Sequence, residues 1–158
     1  MVEQLWAPWR MKYILSDTPE EGCFLCNAAS SREDRPNLVI HRGSHCFCLL
    51  NRYPYNNGHV LVAPFAHKAD FADLDDAESL EIMKALGEVQ QRLREAMKPD
   101  GFNVGVNIGK ISGAGLPGHL HFHIVPRWQG DTNFMPVLAD TKVIPQALEE
   151  VFDLLARK

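Results

Sequence analysis

Gly109-Lys-Ile-Ser-Gly-Ala-Gly-Leu-Pro-Gly-His119-Leu-His121-Phe-His123-Ile-Val125 is the stretch that decides the fold of this chain. Its first ten residues include four glycines and a proline, so they form a loop rather than regular structure. The seven that follow alternate histidine with apolar side chains. In a strand the side-chain period is two, which predicts a strand over His119–Val125 with its three imidazoles on one face, roughly 6.5–7 Å apart. Leu120, Phe122 and Ile124 then face a core, and Pro126 is expected to end the strand.

Around this strand the chain reads as strands, helix, strands, helix. Leu38–Ile40 and Cys46–Leu50 flank a turn at Arg42-Gly43-Ser44, predicting a hairpin. His59–Ala63 follows the turn signal Asn56-Asn57-Gly58, and Phe102–Ile108 is the fourth strand before His119–Val125. Asp75-Asp76-Ala77-Glu78 has the form of a capping box, after which Ile82, Leu86, Val89, Leu93 and Met97 recur at helical spacing. A helix is therefore expected from Asp75 to Met97, stopped by Pro99-Asp100-Gly101, and a terminal helix from Pro145 to Leu155. This order predicts an α+β fold with an antiparallel sheet of about five strands. One domain is expected over residues 1–158, with an N-terminal arm (1–37, loose from Asn27 to Asn37), a core (38–127), and a C-terminal loop and helix (128–158).

Composition narrows the partners. With 158 residues, 46% hydrophobic, the chain can bury a single core, and 16 basic against 20 acidic residues give no general positive field for a nucleic-acid polymer. The start, Met-Val-Glu-Gln-Leu-Trp-Ala-Pro-Trp-Arg, does not read as a signal peptide, and no stretch approaches the ~20 apolar residues of a membrane span. A cytoplasmic protein is expected. Imidazole is mostly neutral near pH 7 and can act as nucleophile, acid or base, while a glycine-rich loop lets backbone N–H groups approach an anion. Gly109–Val125 thus reads as a site where a histidine attacks phosphorus.

His119-Leu-His121-Phe-His123-Ile-Val125 resembles the His-φ-His-φ-His-φ-φ signature of the histidine triad (HIT) nucleotide hydrolases and transferases. The resemblance extends from Leu38 to Arg127, and the flanks Leu5–Arg10 and Pro126–Phe134 are similar to the bacterial diadenosine tetraphosphate phosphorylase branch. It implies a five-stranded HIT sheet, a homodimer, and α-phosphate cleavage of an adenine mononucleotide or dinucleoside polyphosphate. His121 is the implied nucleophile forming a phosphoramidate, His123 the implied contact to the transferred phosphate and leaving oxygen, and His119 and His59 complete the catalytic set. By the same resemblance Asn51 contacts the ribose and Asn107 a phosphate. Gly115 departs from the family pattern, standing where many members place Gln or Ser, so its backbone N–H is the expected nucleotide contact. The alternatives are a nucleoside phosphoramidase or adenylate hydrolase using the same His121, and a non-catalytic nucleotide-binding module.

Cys23-Phe-Leu-Cys26 is a C-x-x-C pair that alone is compatible with a redox motif, a zinc half-site or two incidental thiols. It lacks the strand-then-helix setting of a thioredoxin-like site. Zinc needs about four ligands, with His67 and His119 as candidates to join Cys23 and Cys26. Zinc-bearing HIT relatives use such a set, so the resemblance implies a structural zinc. Cys46 and Cys48 read as buried apolar positions, and His41 and His45 as solvated beside their turn. Trp6, Trp9 and Trp128 are expected to pin arm and tail to the body, or to stack on a base.

Overall fold

The computed structural model describes residues 22–133 and 143–156. Trp6, Trp9 and the flanks Leu5–Arg10 and Phe134 lie outside the described residues. Five strands, β1 (Val39–Arg42), β2 (Cys46–Leu50), β3 (Val60–Pro64), β4 (Gly101–Val106) and β5 (Phe122–Arg127), pair antiparallel in the order β1-β2-β3-β5-β4. Three helices are described, α1 (Phe24–Ser30), α2 (Asp76–Met97) and α3 (Leu148–Leu155). The architecture is the expected α+β one.

Alternation along the strands divides the sheet into two faces. Cys46, Cys48, Leu50, Val60, Val62 and Ile124 point to one side, where Ile82, Ala85, Leu86, Val89 and Leu93 of α2 and Val151, Phe152 and Leu155 of α3 cover them. Phe47, Leu49, Leu61 and Ala63 point to the other, covered by Leu25 and Ala28 of α1. The cover from α1 is short, which leaves the β3–β5–β4 part of that second face for polar side chains. His59, one residue before Val60, and His123, paired with Leu61, both fall on it.

Helix α2 begins as expected: the Asp75 side chain accepts from Glu78 N–H at 2.8 Å, and Glu78 accepts from Asp75 N–H at 2.9 Å. It ends at Lys98, in the left-handed region at φ 49°, just before Pro99. Gly58 turns the chain into β3 against the end of this helix at φ +71°, a left-handed conformation that favours glycine, and a Cβ there would stand 2.8 Å from Met97 Sδ, which would have to shift.

Four expectations are corrected. The histidine strand begins at Phe122, not His119: the β3–β5 and β4–β5 ladders both stop at Phe122, and Leu120 N–H turns instead to the Lys68 carbonyl. Pro126 lies inside β5, paired with Phe102, rather than ending it. Its carbonyl points away from β4 to Asn56 Nδ2 (2.9 Å), so its ring stands where no ladder donor is needed. The C-terminal helix starts at Leu148, leaving Pro145 outside it. The arm contains α1, overlapping the segment expected to be loose: Cys23 caps it, its Sγ accepting from Cys26 N–H at 3.4 Å, and Leu25 and Ala28 are buried.

Candidate active site

His119, His121 and His123 do not share one row. His123 is on the β5 ladder; His121 and His119 precede it, held by two other bonds. Leu120 N–H donates to the Lys68 carbonyl at 2.6 Å, and His119 Nε2 faces the Pro64 carbonyl at 2.9 Å. The chain diverges here to reach the carbonyls of Pro64, the last residue of β3, and of Lys68 beyond it. His121 and His123 remain neighbours, with ring centroids 5.0 Å apart, and His59 joins them, 5.1 Å from His123. His119 turns its ring instead toward Cys23, Cys26 and His67.

The hydrogen bonds fix which ring nitrogens carry protons. A carbonyl only accepts, so His121 Nδ1, 2.7 Å from the His119 carbonyl, is the protonated nitrogen. The lone pair of neutral His121 is then on Nε2. Burial, opposed by the bond to the His119 carbonyl, pushes the His121 pKa below the ordinary histidine range and so favours the neutral ring.

A backbone N–H only donates, so His59 Nδ1, 3.1 Å from Tyr55 N, accepts. Asn51 supports the same assignment: its Oδ1 receives Tyr53 N–H at 2.9 Å, which turns its Nδ2 toward His59 Nδ1 at 3.3 Å. His59 therefore carries its proton on Nε2 and donates to His123 Nδ1 at 3.0 Å. Burial, followed by the fields of His123 and His121, depresses the His59 pKa to about 3, so the ring stays neutral. With its Nδ1 accepting, neutral His123 carries its proton on Nε2.

Asn51 is thus brought to the histidines. Asn107 is half-buried one residue beyond Val106, the β4 partner of Phe122, where the β4–β5 ladder ends. Gly115 is exposed in the loop that leads to His119. That loop contains a 3-10 turn, Lys110–Ser112, bounded by Gly109 (φ +79°) and Gly113 (φ +89°). A cavity of about 520 Å³ lies elsewhere, walled by Trp128, Asn57, Met97, Gln146 and their neighbours, with none of the triad in its lining. Trp128 Nε1 donates to the Met97 carbonyl at 3.3 Å, which pins the residues after β5 to the end of α2.

Tyr55 is a residue that sequence reading missed. Its ring lies 4.7 Å from the His59 ring and stacks 5.7 Å from that of His123, and its N–H sets the His59 tautomer. The only signal was its position in the turn before His59. Gly105 stands across from His123 in the β4–β5 register, with nothing within 4 Å of where a Cβ would stand.

The second constellation is Cys23, Cys26, His67 and His119, whose candidate donor atoms all lie within 4.8 Å of one another. Cys23 Sγ is 3.2 Å and Cys26 Sγ 3.5 Å from His119 Nδ1, and Cys26 Sγ is 3.2 Å from His67 Nδ1. With Zn–S near 2.3 Å and Zn–N near 2.0–2.1 Å, a tetrahedron has S···N edges of about 3.6 Å. His119 Nε2, donating to Pro64 O, leaves a lone pair on Nδ1, the nitrogen that faces the sulfurs. The donor set fits zinc on both counts. Cys46 and Cys48 take no part: they are buried in the sheet, and desolvation raises both thiols to about 12.

A buried imidazole with its lone pair on Nε2, at the end of a glycine-rich loop and next to a neutral histidine and a metal-competent cluster, is an arrangement able to support histidine-based nucleophilic chemistry. Comparison with known proteins agrees. Residues 32–130 match the model of the HIT domain family, and the chain belongs to that family. It is 38% identical over 163 residues to an AP-4-A phosphorylase of Mycobacterium tuberculosis, covering 98% of this chain and 83% of that protein. An adenosine 5′-monophosphoramidase of Saccharomyces cerevisiae is 30% identical over 110 residues, 70% of this chain and 65% of that protein. Among solved structures, a Zn-bound histidine triad family protein from Mycobacterium smegmatis superposes with TM-score 0.68 at 25% identity, covering 85% of this chain and 91% of that one.

Proposed function

We propose that this protein transfers a nucleotidyl group from a dinucleoside polyphosphate, with diadenosine tetraphosphate as substrate, through a covalent adduct on His121. The observation that carries this reading is the hydrogen bond from His121 Nδ1–H to the His119 carbonyl, which leaves Nε2 as a neutral, buried nucleophile. In the first step His121 Nε2 attacks the α-phosphorus. An N–P bond forms, the P–O bond to the β-phosphate breaks, and ATP leaves. His123 Nε2–H stands to donate to the phosphate and its departing oxygen, with its own Nδ1 held by His59. In the second step water or inorganic phosphate attacks the adenylyl group and the N–P bond breaks, restoring His121.

Asn51 serves the ribose; Asn107 and the backbone N–H of Gly115 serve the phosphates. Cys23, Cys26, His67 and His119 hold a structural zinc, which supplies rigidity between α1 and the histidine segment rather than a reacting group. Residues 1–158 act as one domain in a cytoplasmic homodimer, a location with which the four free thiols agree. No helix among the described residues is long and apolar enough to cross a membrane.

The test is incubation with diadenosine tetraphosphate, with and without inorganic phosphate, followed by chromatographic separation of nucleotides. ADP plus ATP formed only with phosphate marks a phosphorylase, the outcome that the 38% identical relative favours. AMP plus ATP without phosphate marks a hydrolase. Cleavage of an AMP-amine with no cleavage of the dinucleotide replaces this substrate with that of the phosphoramidase relative.

A further inference from the structure

Between the end of β3 and the start of the β5 ladder, His121 has no strand partner of its own. Its backbone is placed by its neighbour: Leu120 N–H donates to the Lys68 carbonyl at 2.6 Å. Lys68 sits in the irregular segment after β3, which lacks ladder bonds to hold it. Besides the bonds that its neighbours make (Phe65 N–H to the His45 carbonyl, Ala69 N–H to Asp73), its own side chain anchors it: Nζ meets Glu78 Oε2 at 2.5 Å. Glu78 is 5% exposed, and the same oxygen accepts Asp75 N–H at 2.9 Å at the start of α2.

A carboxylate placed only to cap a helix has no need of burial or of a lysine from another segment. Desolvating this pair is costly, and such pairs are retained where they fix one arrangement over others. The path is continuous: α2 start, Glu78, Lys68, Leu120 N–H, and then the His119 carbonyl and His121 Nδ1.

We infer that Glu78 and Lys68 are positioning residues for the nucleophile, an ion pair that ties the first turn of α2 to the backbone on either side of Leu120 and so sets the aim of His121 Nε2. The inference rests on the His121 chemistry proposed above. Neither residue touches the reacting atoms; both act through the placement of His121. Small displacements of a nucleophile reduce the chemical step far more than substrate binding.

Four variants separate positioning from general stability. Glu78→Gln keeps a group that can cap Asp75 N–H but loses the charge; Lys68→Met loses the charge from the other side; Lys68→Arg keeps it. Glu81→Gln is the control, a carboxylate on the same helix that binds His45 N and Cys46 N instead of the histidine segment. Expected for Glu78→Gln and Lys68→Met is a fall in kcat of about tenfold to a hundredfold with KM within about twofold, while Lys68→Arg and Glu81→Gln stay within about threefold of wild type.

The second readout is independent of turnover. In protein labelled with 15N-histidine, the His121 Nδ1–H resonance should be lost or broadened in Glu78→Gln and Lys68→Met and sharp in the other two, with the His59 Nε2–H resonance present in all. Unchanged kcat and an unchanged His121 resonance in both charge-loss variants overturn the inference, as does an equal loss in Glu81→Gln. A wild type that cleaves no nucleotide overturns the proposed function, and the resonance still decides the positioning.

Discussion

Acidification should destabilise this protein through His59 by an amount that follows from its surroundings. The ring is 1% exposed, accepts Tyr55 N–H at Nδ1, and is held near a pKa of about 3 against 6.5 in the unfolded chain. Above pH 6.5 both states are neutral and His59 adds no penalty. Below it the unfolded chain takes up a proton that the folded one refuses, so stability is lost as pH falls from 6.5 toward 3. Between pH 7 and pH 5 the loss comes to about 2 kcal/mol, an order-of-magnitude figure. The assay is urea unfolding of wild type and His59→Gln at both pH values in the same chelator-free buffer, so that contributions from carboxylates, other histidines and metal cancel in the difference. Glutamine retains a donor for His123 and an acceptor for Tyr55. Wild type should lose about 2 kcal/mol more than the variant over this interval. Equal losses would refute a buried, neutral His59 and with it the tautomer assigned to His123.

Metal analysis should find about one zinc per chain, and Cys23→Ser or exhaustive chelation should lower the melting temperature, by an amount corresponding to roughly 4 kcal/mol where free metal stands a thousandfold above its Kd. Leu25→Ala, which removes the 0%-exposed side chain that seats α1 on the sheet, should cost about 2–5 kcal/mol in urea unfolding and weaken metal retention with it. Asp131 accepts from Asn56 Nδ2 (2.9 Å), Trp128 N–H (3.2 Å) and the Arg127 guanidinium; Asp131→Ala should cost about 2–4 kcal/mol by orphaning these donors, read by thermal unfolding.

Much of this was legible because period and chemistry coincide. The α2 stripe and its Asp75/Glu78 box, the Asn56-Asn57-Gly58 turn and the apolar run Cys46–Leu50 each state a local geometry that tertiary packing did not override. The histidine spacing marked the site but misplaced its edge: His119 and Leu120 bond to the Pro64 and Lys68 carbonyls instead of joining the ladder, and those partners lie more than 50 residues away in sequence. Helix α1 was hidden because seven residues capped by a cysteine carry too little helical signal; its stability comes from Leu25 and Ala28 against the sheet. The bonds from Tyr55 N–H to His59 and from Leu120 N–H to the Lys68 carbonyl use main-chain groups, which no side-chain pattern reports. The Cys23–Cys26 and His67–His119 convergence brings together segments up to 96 residues apart, and there the family resemblance supplied what spacing could not.

The central claim is that His121 Nε2 forms a bond to phosphorus, and rapid acid-free quenching of the protein mixed with diadenosine tetraphosphate, followed by peptide mapping in a mass spectrometer, tests it most directly. An adenylyl group on His121 at early times, absent from His121→Ala, which should also lose turnover, is the predicted result. Turnover that persists in His121→Ala, or an adenylyl group mapped to another residue in wild type, would contradict it.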